Sequence, residues 1–151
     1  MRIAGGVIVG YLVMAVLVFA TFTVTYLAMG TDVAFRPGNY DVTILWIAAS
    51  MLLSFVAAVV GGLVCGTITR KSAGPAALAI VVVALGVAFA IPTLRAPPLP
   101  TDRGPNVGVF EAMQHARQPS WAILVTPLIG ALGVLVGARF VVGRTGALGE
   151  P

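Results

Sequence analysis

The residues best suited to chemistry lie in the stretch NVGVFEAMQHARQPSW, residues 106–121. His115 is the only histidine among 151 residues. Glu111 precedes it by four positions and Arg117 follows it by two. On a helix, a carboxylate and an imidazole four apart stand one turn apart on the same face. Such a pair could transfer a proton, ligate a metal or recognise a partner. Metal binding falls short, because a metal site usually takes at least three protein ligands and two are present. Acid–base catalysis falls short as well, because no nucleophile or pocket accompanies the pair. Outward-facing recognition by Glu111, His115 and Arg117 remains. A solvated helix face accounts for the same pattern without any chemistry.

The pattern around the pair is helical. Polar residues fall at 111, 114, 115 and 118, and apolar or small ones at 109, 110, 112, 113 and 116. That alternation predicts a short amphipathic helix over 109–118 lying on a membrane surface. Pro119 should stop it, and Trp121 should anchor the next segment at the lipid–water boundary.

The rest of the chain is apolar. Only 9% of residues are charged and 59% are hydrophobic, and the mean hydropathy is +1.04. Soluble domains carry about 25% charge, so the composition indicates an integral membrane protein. The formal charge of +4 comes without a basic run or a basic helix face, so nucleic acid is not an expected partner. A span needs roughly 20 apolar residues. Four segments qualify, at about 3–29, 42–68, 75–94 and 121–142. The predicted fold is an all-α, four-span bundle in one domain, with both termini on the same side. Loops at about 30–41 and 95–119 face the other side, and a tail at 143–151 is expected to be flexible. The first apolar run far exceeds the 7–15 residues of a signal-peptide core, so it is expected to stay as a span.

Local residues set the expected boundaries. Pro37-Gly38 favours a tight turn, and Asp41 is the expected N-cap of the second span. Ser72 and Pro75 suit the start of the third. Pro92 and the run RAPPLP should end it. Pro127 lies inside the fourth span and should kink it.

Orientation follows from basic residues. Arg2, Arg70, Lys71, Arg139 and Arg144 share the side of the termini, against Arg36, Arg95, Arg103 and Arg117 on the other. The link bearing Arg70-Lys71 is very short, where the positive-inside rule weighs most. Both termini are therefore expected in the cytoplasm. Eight arginines against one lysine, with abundant glycine and alanine, suggest a bacterial cytoplasmic membrane.

Helices in lipid associate through small side chains. The second span carries Ser50, Ser54, Ala58, Gly62 and Gly66 at steps of four, widened by Ala57, Gly61 and Cys65. Gly6 and Gly10 in the first span, and Gly133 and Gly137 in the fourth, are matching pairs. This stripe reads as a seam with another helix, in the bundle or in a second subunit. Trp46, Ala58, Gly62 and Arg70 are echoed by Trp121, Gly133, Gly137 and, approximately, Arg144, which suggests two similar helical hairpins related as parallel repeats.

Known membrane chemistries each lack a part. Haem ligation commonly needs histidines inside the bundle, disulfide exchange needs paired cysteines, and Cys65 stands alone. No Asp or Glu lies inside a span, so the likeness to small four-helix multidrug exporters stops at length and helix count. No base accompanies Ser50 or Ser54. No cofactor, metal or enzymatic activity is expected. The leading expectation is an accessory protein that associates with itself or another membrane protein through its small-residue faces. One alternative is a passage for a neutral solute built on Thr21, Thr25, Ser50, Ser54 and the Pro127 kink. The other is an outward sensor using the loop 95–119.

Overall fold

The computed structural model describes residues 2–95, 107 and 109–146. Among these residues six helices follow one another: α1 (Arg2–Met29), α2 (Thr31–Ala34), α3 (Ile44–Thr69), α4 (Ala73–Arg95), α5 (Val109–Gln114) and α6 (Ser120–Gly146). No strand occurs among the described residues. α1, α3, α4 and the first 22 residues of α6 are long and apolar enough to cross a membrane. Side chains that water would drive inside stand on the surface instead: Phe19 is 77% exposed, Ile44 70% and Phe89 69%. That surface suits lipid, and the chain is a multi-pass membrane protein with the expected four-helix bundle. The four spans alternate in direction. The start of α1, the described end of α6 and the short link 70–72 therefore lie at one end, and the end of α1, the starts of α3 and α6 and the described end of α4 at the other.

Each long helix starts within two residues of its expected position, but several boundaries have other causes. Thr43, not Asp41, caps α3: its hydroxyl accepts the Trp46 N–H at 3.3 Å. Arg70 closes the same helix in the left-handed conformation (φ 52°) and donates its N–H to the Gly66 carbonyl. Pro92 does not end α4, which runs on to Arg95. Proline in the last turn leaves only the Ala88 carbonyl without its helical donor, and the Thr93 hydroxyl donates to the neighbouring Phe89 carbonyl at 2.9 Å. α6 continues to Gly146, so residues 143–146 of the tail expected to be flexible are helical. Residues 147–151, and the run RAPPLP beyond Arg95, lie outside the described residues.

α3 is the hub of the bundle. It packs most extensively on α6 and α1, α4 packs on α6, and α1 meets α4 only lightly. Two small faces of α3 make this possible. Towards α1, a methyl added to Gly10 would come within 2.9 Å of the Gly61 carbonyl, and one on Gly61 would come equally close to the Gly10 carbonyl. Gly6 lies against Cys65, Ile68 and Thr69. Towards α6, Gly62 lies against the backbone of Val134, Gly137 against the backbone of Val59, and Gly133 against Ala58 and the Phe55 carbonyl. Such approaches exclude any Cβ and maximise dispersion contact, the main source of helix affinity in lipid.

The α3–α6 contact is reciprocal. Adding 75 to Gly62 and Val59 gives Gly137 and Val134, so the contact Gly62–Val134 maps onto Gly137–Val59. The same interval relates Trp46 to Trp121 and Ala58 to Gly133. The seam thus has local two-fold symmetry in the register of the sequence echo.

Two cores result. At the loop end, Tyr26, Phe35, Tyr40, Trp46, Ile47, Ala112 and Ala122 cluster, with edge-to-face contacts from Trp46 to Phe22 and Tyr26. Nearer the terminal end, Ala58, Cys65, Leu78, Ala79, Val82 and Val134 form a second core.

Candidate functional site

The loop end is a built cap. Gly30, at φ 74°, turns the chain from α1 into α2. Arg36-Pro37-Gly38-Asn39 then closes a tight turn, with the Asn39 N–H donating to the Arg36 carbonyl at 3.1 Å and Gly38 at φ 65°. A side chain at either glycine would be strained. Phe35 and Val42 pair across this turn. The second loop joins by backbone bonds. Arg117 donates its N–H to the Tyr40 carbonyl at 2.9 Å and accepts the Val42 N–H at 3.1 Å.

This bridge places the three residues expected to act in recognition. Arg117 reaches Asp41, with Nε 3.6 Å from Oδ1. His115 is half-buried beside Tyr40, with ring centroids 5.3 Å apart. Its Nδ1 lies 3.0 Å from the Glu111 backbone carbonyl, so that nitrogen carries the hydrogen and donates. The Glu111 carboxylate is not its partner in this bond, and the residue is exposed. The one-turn spacing is present, but it brings the ring to backbone rather than to carboxylate. α5 is also shorter than the expected 109–118 helix. It stops at Gln114, and three residues on the Arg117 backbone pairs with Tyr40 and Val42 instead. Ala112, fully buried, ties α5 to the cap core.

Beneath the cap edge lies a cavity of about 480 Å³, lined by Arg36, Asp41, Arg117, Ser120, Trp121 and neighbours. It lies between the starts of α3 and α6.

A second cavity, about 230 Å³, lies at membrane depth. All four long helices line it: Tyr11, Met14 and Val18 from α1; Ser54 from α3; Val82, Leu85, Gly86 and Phe89 from α4; Thr126, Pro127 and Gly130 from α6. Ser54 sits about 15 Å along α3 from its start and Tyr11 about 14 Å along α1, so the cleft is far from both ends. It adjoins α1 and α4, which meet only lightly, and the exposed Phe89 marks where it reaches the lipid-facing surface. Gly86 leaves room for the Pro127 ring, which a methyl there would strike.

Three hydroxyl-bearing residues line this largely apolar cleft. Thr126 donates to the Ala122 carbonyl at 2.7 Å. Tyr11 and Ser54 have no hydrogen-bond partner among the described residues. The other expected members of a polar path are placed differently. Thr21 donates to the Leu17 carbonyl at 2.7 Å and Ser50 to the Ile47 carbonyl at 2.8 Å, each within its own helix. Thr25 is not part of the lining. Sequence reading found Ser54 and Pro127 but missed Tyr11 and Thr126. Tyr11, the one polar side chain between Arg2 and Thr21 of α1, was the available signal.

The small residues are accounted for within the chain. Gly6, Gly10, Ala58, Gly62, Gly133 and Gly137 fill the two seams, Gly66 is buried beside Cys65, and Ser50 and Ser54 point to their own helix and the cleft respectively. Among the described residues, no group of three or more His, Cys, Asp or Glu side chains could hold a metal ion. Comparison with protein-family models, curated proteins and solved structures gave no match for this chain.

Proposed function

We propose that the protein binds a neutral, lipophilic molecule in the membrane-depth cleft, holding it or passing it across the bundle, and that it is not an enzyme. The observation that carries this reading is the pair of hydroxyls, Tyr11 and Ser54, that have no partner among the described residues, on a wall whose third hydroxyl, Thr126, bonds within its own helix. A polar group without a partner in hydrocarbon is costly. A ligand offering one carbonyl, ether or hydroxyl oxygen would satisfy it, while its hydrocarbon body fits between Val18, Leu85 and Phe89. The absence of any Asp or Glu from the lining favours an uncharged guest. Association with a second membrane protein would have to use other surfaces, since both small faces of α3 are engaged within the chain.

We further propose a bacterial cytoplasmic membrane with the termini inside, supported by the composition and the basic link Arg70-Lys71.

The probe for the cleft is a long-chain alcohol bearing a diazirine, incubated with the full chain in lipid nanodiscs. Labelling should concentrate on α1 and α4 beside the cleft and compete with unmodified alcohol. Each hydrogen bond is worth about 1 kcal/mol, so Tyr11→Phe with Ser54→Ala should lower labelling roughly tenfold or more. Neither hydroxyl supports another group, so the double variant should keep its thermal stability. Equal labelling of wild type and variant, or labelling spread over lipid-facing positions such as Phe19, would sink the reading.

A further inference from the structure

We propose that the loop-end cavity binds the phosphate of a membrane phospholipid. The site is separate from the cleft and does not depend on it.

Charge is the first argument. Arg36 and Arg117 line the cavity against a single carboxylate, Asp41. Asp41 engages Arg117 only at 3.6 Å, and the Arg36 side chain makes no ion pair among the described residues. The cavity therefore carries an excess positive charge on planar guanidinium groups, whose forked donors match phosphate oxygens. Backbone geometry adds to this. Ser120 and Trp121 also line the cavity and open α6. Their N–H groups precede the first helical acceptor, and the helix dipole there favours an anion.

Position supplies the argument for a lipid source. The cavity sits where two spans begin, at the level of headgroups. Ile44, 70% exposed, and Trp121, 50% exposed, line it and face outward. Aromatic and aliphatic side chains at that level border acyl chains. A phosphate held by Arg36 and Arg117 would thus leave its glycerol and tails running along α3 or α6, in the layer they already occupy. A free phosphate would gain nothing from that apolar rim.

The test is native mass spectrometry of the detergent-purified full chain with added phosphatidylglycerol, with and without millimolar inorganic phosphate. Wild type should retain the lipid, and inorganic phosphate should not displace it. Losing one charge-assisted contact should weaken retention about tenfold, so Arg36→Gln should show that loss while Arg36→Lys keeps part of the binding. Arg36 is exposed and its side chain has no partner among the described residues, so its replacement should not disturb the fold. Asp41→Asn removes the competing carboxylate and should move retention the other way, upward. Displacement by inorganic phosphate would overturn the lipid source. Equal retention by wild type, Arg36→Gln and Asp41→Asn would overturn the site.

Discussion

Thr43 secures the entry to α3 from two sides. Its hydroxyl accepts the Trp46 N–H at 3.3 Å and donates to the Val33 carbonyl at 2.7 Å. One side chain thus caps a span and ties it to α2. Replacing an N-cap hydroxyl with alanine costs about 1 kcal/mol, and up to about 2 in tight sites. Thr43→Ala should lower the unfolding free energy by that amount in a denaturing-detergent titration, while Thr43→Ser should recover most of it. Sequence reading put the cap at Asp41, two positions early, because capping propensity does not distinguish nearby Asp and Thr. The decision is tertiary: Asp41 is drawn away by the Arg117 backbone bridge, which no local pattern encodes. Glu111 and His115 show the same limit. Their spacing was legible, but Tyr40, 75 residues upstream of His115, decides where the ring goes.

Helix by helix, the small residues behave as the chemistry of lipid requires. The stripe on α3 read as one seam, whereas the helix has two. Gly61 and Cys65 serve α1, and Ala58 and Gly62 serve α6. Steps of four residues drift slowly around a 3.6-residue helix, so a long stripe covers more than one neighbour. The sequence could show its existence but not its division. Substitution separates tight contacts from open ones. A methyl at Gly62 would enter the backbone of Val134, whereas one at Gly5 would meet nothing within 4 Å. Gly62→Ala should destabilise the bundle by about 1–3 kcal/mol, the scale of overpacking. Gly5→Ala should be neutral or raise stability by up to about 1 kcal/mol through helix propensity. The same denaturing-detergent titration measures both, and equal effects at the two positions would contradict the seam.

For the whole molecule, hydrophobic run lengths announced the four spans, since the bilayer fixes how long a helix must be. The cleft was only half legible. It depends on how far α1 and α4 stand apart, which follows from packing rather than pattern. Orientation is testable directly. In a Cys65→Ala background, Gln114→Cys at the loop end should react with a membrane-impermeant maleimide on intact cells. Ser72→Cys, in the link, should react only after permeabilisation. The reverse result would invert the proposed topology. The reciprocal contact of Gly62–Val134 with Gly137–Val59 reaches further. It joins two hairpins that share only the link at residues 70–72, so that link sets their effective concentration rather than their fit. In a membrane, already inserted helices need only find each other laterally. A polypeptide severed at Lys71 would leave two inserted halves, each presenting the other with the surface it needs to reassemble as a heterodimer.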